Sequence, residues 1–170
     1  MLRLALALSL LAACGGAKPA PVTTTQPTAI APTETAPTKI LVNVDDEGVG
    51  IMGFDPAGYL LNNKADPGAG ETSSAHGGAT YWFANAARKA AFDKDPVKYS
   101  PQFGGYCVYA ASQGRVSQVQ PEVFEIIDGK TYLFTNPEFK KLFDKDPAGT
   151  IQKATENWPK LVEQFGTPAK

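Results

Sequence analysis

Nineteen residues in the middle of this chain return 51 positions later largely unchanged. Residues 78–96 read Gly-Ala-Thr-Tyr-Trp-Phe-Ala-Asn-Ala-Ala-Arg-Lys-Ala-Ala-Phe-Asp-Lys-Asp-Pro. Residues 129–147 read Gly-Lys-Thr-Tyr-Leu-Phe-Thr-Asn-Pro-Glu-Phe-Lys-Lys-Leu-Phe-Asp-Lys-Asp-Pro. Eleven of the nineteen positions are identical, where chance gives about one. Two copies are too few for a solenoid, so the repeat predicts a pseudo-symmetric pair sharing one core. The second copy shows what each unit is. Val123 to Ile127 and Lys130 to Phe134 flank Asp128-Gly129, a strong short hairpin signal. Asn136-Pro137-Glu138 then opens a helix, with Asn as cap, Pro at the first helical position and an acid in the first turn. Phe139, Leu142 and Phe143 share one face of it, and Asp146-Pro147 stops or redirects the chain.

Mapped onto the first copy, Gly77-Gly78 is the turn, Thr80 to Phe83 the outgoing strand, Asn85 the cap and Ala86 to Phe92 the helix. Tyr81 and Phe83 face the core, as Tyr132 and Phe134 do, while Trp82 points to the other side of the strand. Two further helices are expected. One covers about Tyr106 to Ser112. The other runs from about Ala148 towards Phe165, with Pro159 as a kink or boundary. The fold class is α+β: one small domain, about 41–166, with two hairpin–helix units and a C-terminal helix.

The first forty residues belong to something else. Met1-Leu2-Arg3 is a basic start, Leu4 to Leu11 a short apolar run, and Leu11-Ala12-Ala13-Cys14 closes it with small residues before a cysteine. The run is too short to span a bilayer. It is similar to a bacterial lipoprotein signal, 1–13, after which Cys14 is acylated and becomes the new N-terminus. Two or more acyl chains make anchoring stable. Gly15 follows, and without Asp there the expected location in a Gram-negative cell is the outer membrane, facing the periplasm. From Gly15 to Lys39, five prolines sit among seven threonines and five alanines. Such a composition has little to bury and reads as an extended tether, so that 14–40 links lipid to domain.

Charge and ligand counts exclude a good deal. Sixteen basic against seventeen acidic residues leave a net charge of -1, with no surplus to neutralise phosphates, which excludes nucleic acid as a partner. Cys14 and Cys107 are the only cysteines and His76 the only histidine. A disulfide framework, a four-thiolate zinc site and a multi-histidine site are therefore excluded. No Ser/His/Asp order, phosphate-binding loop or zincin helix is present, which argues against an enzyme.

Several short motifs resemble one family. Phe54-Asp55-Pro56-x-x-Tyr59, Gly78-x-Thr80-Tyr81-x-Phe83-Ala84 and Phe92-x-x-Asp95-Pro96-x-Lys98-Tyr99 resemble the YHS-domain family. Pro101-Gln102-Phe103-Gly104-Gly105-Tyr106-Cys107-x-Tyr109-Ala110, Pro121-Glu122-x-Phe124-x-Ile126 and Asn157-Trp158-Pro159 are similar to its bacterial envelope branch. The likeness covers about residues 49–160. It implies a small binding module, in other members a metal-binding one with a cysteine after Asp-Pro and a Phe-Cys-Ser-x-x-Cys where strand meets helix. This chain has Asp55-Pro56-Ala57-Gly58 and Phe83-Ala84-Asn85-Ala86-Ala87 instead, so no thiolate zinc site is expected.

The remaining candidates are few. His76 falls just before the hairpin turn, opposite Ala79: a metal ligand or proton carrier, or an ordinary turn-flanking residue. Cys107 lies between two tyrosines, either as a soft ligand or as a small buried hydrophobe. Were His76, Cys107 and Met52 to meet, the set would suit Cu(I). Tyr59, Tyr81, Trp82, Tyr99, Tyr106 and Tyr109 supply core or a pocket wall. The expectation is an envelope lipoprotein carrying a YHS-like ligand-binding module, for a soft metal ion such as Cu(I). The alternative is a metal-free module that meets a protein partner in the envelope.

Overall fold

Capping signals place the helices. The computed structural model describes residues 39–169; the leader, Cys14 and nearly all of the tether lie outside the described residues. Asn85 and Asn136 each accept the amide three residues on, from Arg88 and Phe139, and start α2 (Ala86–Lys94) and α5 (Pro137–Phe143). Side-chain oxygens at this position satisfy amides that the first helical turn leaves unpaired. Asp-Pro does the same work three times. Asp55, Asp95 and Asp146 cap α1 (Pro56–Asn62), α3 (Pro96–Tyr99) and α6 (Pro147–Phe165), with proline at the first helical position each time. In each case the proline loses only a hydrogen bond that this position lacks anyway.

Two hairpins carry the strands. In the first, β2 (Ala69–His76) pairs with β3 (Ala79–Phe83), and in the second β4 (Gln120–Ile127) pairs with β5 (Lys130–Phe134). Both turn residues of each hairpin take positive φ, 57° and 87° at Gly77-Gly78 and 52° and 69° at Asp128-Gly129. That is what a two-residue turn between right-twisted strands requires. The registers match to the residue. His76↔Ala79 and Ala69↔Phe83 in the first hairpin become Ile127↔Lys130 and Gln120↔Phe134 in the second, with the same bulge between Ala69 and Ser73 and between Gln120 and Phe124.

Duplication extends beyond the stretch legible in the sequence. A short 3₁₀ turn, Ile51–Gly53 with a left-handed Met52, precedes Asp55 and α1; another, Phe103–Gly105 with a left-handed Gly104, precedes Cys107 and α4 (Val108–Ser112). The Gly50 amide donates to the Thr80 carbonyl and the Gln102 amide to the Thr131 carbonyl, both at 2.9 Å. Each unit is thus turn, capped helix, bulged hairpin, Asn-capped helix and Asp-Pro helix. A third antiparallel pair, β1 (Lys39–Ile40) with β6 (Thr167–Pro168), joins the two ends of the domain.

Equivalent aromatics of the two copies fill the core. Phe83 packs on Phe92 with ring centres 5.1 Å apart, and Phe134 on Phe143 at 4.9 Å. The copies are also tied to each other. Tyr59 packs edge-on against Phe124 at 4.9 Å and donates its hydroxyl to the Pro121 carbonyl at 3.0 Å. Asn157 on α6 donates to the Ala111 and Ser112 carbonyls that end α4, supplying partners the helix lacks. Trp82 lies against Gly53 and Gly70, where any larger residue would meet its ring.

Two expected boundaries move. The helix expected from Tyr106 begins at Val108, because Cys107 is its cap. Pro159 neither ends nor divides α6, which is continuous from Pro147 to Phe165. Proline removes one helical bond to the residue four before it. Here that residue is Thr155, and both side chains are exposed, so the freed carbonyl is on the wet side. Ala154 and Leu161 remain buried in the core, and that packing holds the helix through the defect.

Candidate functional site

The three residues expected to form a soft-metal set lie in different places. Cys107 is fully buried and its sulfur accepts the Ala110 amide at 3.5 Å, in the cap position that Asp55 holds in the first copy. Met52 is 61% exposed and lines a surface cavity with Asn43, Asp45 and Gln118. His76 is half-buried with its ring 6.0 Å from Phe92, on the wall of another cavity. Among the described residues no three His, Cys, Asp or Glu side chains gather as a metal-binding group. A thiol reagent such as dithionitrobenzoate should therefore leave Cys107 unmodified in the native domain and react once denaturant opens the core. Rapid native-state labelling would show that the sulfur is accessible.

An ionic network holds the junction of α1, β3 and α2. Ala57, Ala84 and Arg88 take part in it. All three positions converge on Asp55. Its carboxylate accepts the Ala57 amide at 2.9 Å, the Ala84 amide at 2.9 Å and Arg88 Nη1 at 3.2 Å. Arg88 also reaches Asp66 at 2.7 Å. Hydrogen bonds from Lys64 and Arg88 hold the Asp66 carboxyl below its ordinary range. The second copy answers with apolar groups: Phe139 stands at the Arg88 position and packs on Tyr109 at 5.2 Å. This network is a scaffold for the junction of α1, β3 and α2, and its buried charges are matched by donors.

An open groove lies elsewhere. A groove of about 560 Å³ runs between β1, the Gly77 turn, the segment 100–104 and α6. Ile40, Leu41, Val42, Trp158 and Val162 make its apolar wall, and His76, Tyr81 and Ser100 its polar one. Its size is that of small-molecule sites, and so is an apolar lining with a few polar groups. Ser100 reaches the wall because Pro101 follows it. The residue before proline avoids helical backbone, and Ser100 turns out of α3 with ψ 134°. Its hydroxyl oxygen is shielded from solvent. It lies beside the buried Tyr81 phenol, whose pKa burial pushes up and the Ser100 hydroxyl pulls slightly back. Tyr81 is therefore a donor at neutral pH.

The duplication supplies an internal comparison for this groove. A second cavity, of about 460 Å³, is lined by Ile127, Asp128, Tyr132, Ile151 and Gln152 among others. Each of these five lies 51 positions after a groove residue: His76, Gly77, Tyr81, Ser100 and Pro101. The tyrosine is kept in both. Isoleucines stand at 127 and 151, where the first copy has His76 and Ser100. At these two positions the copies differ in polarity.

Sequence reasoning named His76 and Tyr81 but missed Ser100 and the groove role of Trp158. Laying the copies together four residues past Pro96 and Pro147 sets Ser100 against Ile151, which is the available signal. No protein-family model matches the chain, and comparison with curated proteins and with solved structures gives no match either.

Proposed function

We propose that this chain is a lipid-anchored protein of the bacterial envelope whose YHS-like domain is a tethered binding module, taking a small ligand in the groove between β1 and α6. One observation carries the reading: at two equivalent cavity positions the first copy has His76 and Ser100 where the second has Ile127 and Ile151. The leader ending at Cys14 and the Pro/Thr tether support placement at a membrane surface. Such a Pro-rich tether advances about 3 Å per residue, so its 25 residues from Gly15 to Lys39 can hold the domain some tens of ångströms from the lipid.

The test uses the full chain carrying Cys14→Ser, which blocks acylation, and the neutral fluorophore N-phenyl-1-naphthylamine. Saturable fluorescence enhancement is expected for this chain and for a further Ile151→Trp variant, a position outside the groove lining. It should be lost in Ser100→Trp, which fills the groove, with circular dichroism confirming the fold of both. Equal enhancement in all three would remove the groove as the binding seat. In cells, labelled palmitate should enter the unaltered chain and not the Cys14→Ser chain; label in both, or in neither, would refute the anchor.

A further inference from the structure

The groove does not end at Trp158. Ile151, Thr155, Trp158 and Val162 follow one another at steps of four, three and four residues along α6, which sets them in one row on the helix. That row borders three concavities in turn. Ile151 lies on the second cavity, Thr155 on a further one of about 460 Å³, and Val162 on the groove. Each cavity shares wall with the next. Trp158 and Pro159 belong both to the groove and to the middle cavity, while Lys130, Tyr132 and Ile151 belong both to the middle cavity and to the second. Ala154 and Leu161, on the core side of α6, are buried, whereas Ile151, Trp158 and Val162 are only half-buried. A single seam therefore runs along α6. Phe103 and Tyr132 back its middle, and Trp158 is held there edge-on against Phe103 at 5.5 Å.

We propose that this seam holds the unbranched alkyl chain of a single-chain lipid, laid along α6 from Val162 to Ile151, which rests on the binding role proposed above and names its ligand class. The lengths match. Eleven residues separate Ile151 from Val162, about 16 Å of helix, and an acyl chain that spans one leaflet covers about 15 Å, half of the hydrocarbon core. The chemistry matches too. An extended polypeptide would bring an N–H and a C=O per residue, each needing a partner, whereas the hydroxyls of Ser100 and Tyr81 on the groove wall are buried beside each other. An alkyl chain needs no partner, and Val42, Val162, Trp158, Phe103, Tyr132 and Ile151 give it apolar contact from end to end. Charged side chains stand towards the two ends, Lys39 and Glu163 near Val162 and Asp128 and Lys130 near Ile151. Thr155 and Gln152 are exposed at the outer lip.

The experiment is displacement of N-phenyl-1-naphthylamine from the full Cys14→Ser chain by 1-octanol and by 1-dodecanol, which share a neutral head and differ in length. Each further methylene buried in the seam should lower the displacing concentration about fourfold. Dodecanol should therefore act at a concentration lower than that of octanol by about a hundredfold or more. Thr155→Trp places bulk midway along the seam at an exposed helix position, and Ile151→Trp fills its far end; circular dichroism checks the fold of both. In these variants the fluorophore and octanol, which need only the groove, should behave as in the parent chain. The advantage of dodecanol should shrink to less than about tenfold, as its added methylenes lose their burial. An advantage that survives in both variants would overturn the seam and leave the groove as the seat of a short ligand. Equal displacement by the two alcohols in the parent chain would overturn it as well. Failure of the fluorophore to bind the parent chain at all would remove the seam together with the binding role beneath it.

Discussion

Asp55→Ala should destabilise the domain by about 3–5 kcal/mol, the range for breaking a buried ion pair from one side. The carboxylate is fully buried and takes amides from Ala57, Gly58 and Ala84 together with Arg88 Nη1. Alanine in its place strands all four donors at once, including a guanidinium that is only 13% exposed. It also removes the cap of α1. For a domain of this size the loss corresponds to a melting temperature lower by roughly 10–20 °C. Urea unfolding checks the figure, since the midpoint should fall with an unchanged slope. Arg88→Met in the same chain should recover part of the loss, because the stranded charge goes with it. The double-mutant cycle then gives the coupling between the two side chains. A loss under about 1 kcal/mol for Asp55→Ala would mean that water reaches these donors and that the network is not the scaffold described.

Gly104→Ala should act at two levels. Gly104 has φ 58°, and a Cβ there would drive into the Leu41 carbonyl oxygen. Left-handed backbone costs an L-residue about 1–2 kcal/mol, and forcing atoms into filled space commonly costs 1–3 kcal/mol more. A total loss of about 2–5 kcal/mol is expected. The clash also displaces the segment that walls the groove, since the Asn43 amide is bonded to the Gly104 carbonyl at 2.8 Å and Leu41 and Val42 line the cavity. Binding of the neutral fluorophore should weaken even where the variant remains folded. Gly114→Ala separates the causes. Its φ is 72°, but a Cβ would meet nothing within 4 Å, so only the backbone cost of about 1 kcal/mol remains and binding should be untouched. Equal losses in the two variants would mean that the contact with Leu41 relaxes freely.

What could be read from sequence and what could not follows from where each signal resides. The hairpins and the Asn-capped helices were legible because Gly, Asn and Asp-Pro recur at fixed spacing, and these residues dictate backbone locally. The pairing of His76 with Ala79 and the core face of Tyr81 and Phe83 follow from that register. The front half of each unit was not legible. Ile51-Met52-Gly53-Phe54-Asp55 and Phe103-Gly104-Gly105-Tyr106-Cys107 share one backbone course, yet their capping residues are a carboxylate and a thiol. Seen alone, Cys107 suggests metal chemistry; set beside Asp55, it is a helix cap. The groove was hidden for another reason. Its walls come from four separated segments, and periodicity within one segment says nothing about their meeting. Pro159 misled because the rule for proline concerns a single hydrogen bond, whereas the core contacts of α6 on either side of it decide the outcome.

Pairing of Lys39 with Pro168 and of Ile40 with Thr167 has a practical consequence for how the protein is handled. Both ends of the domain leave from one corner. Thr167, Pro168 and Ala169 line a cavity that shares Ile40 and Gly77 with the groove. An affinity tag or fluorescent fusion placed after the last residue therefore hangs over the rim of the groove, beside β1. It would compete with the small ligand proposed for the groove. The turn at Gln113-Gly114, exposed and with open space around Gly114, is the better place for a label or a surface-coupling cysteine, and it leaves the shared corner bare.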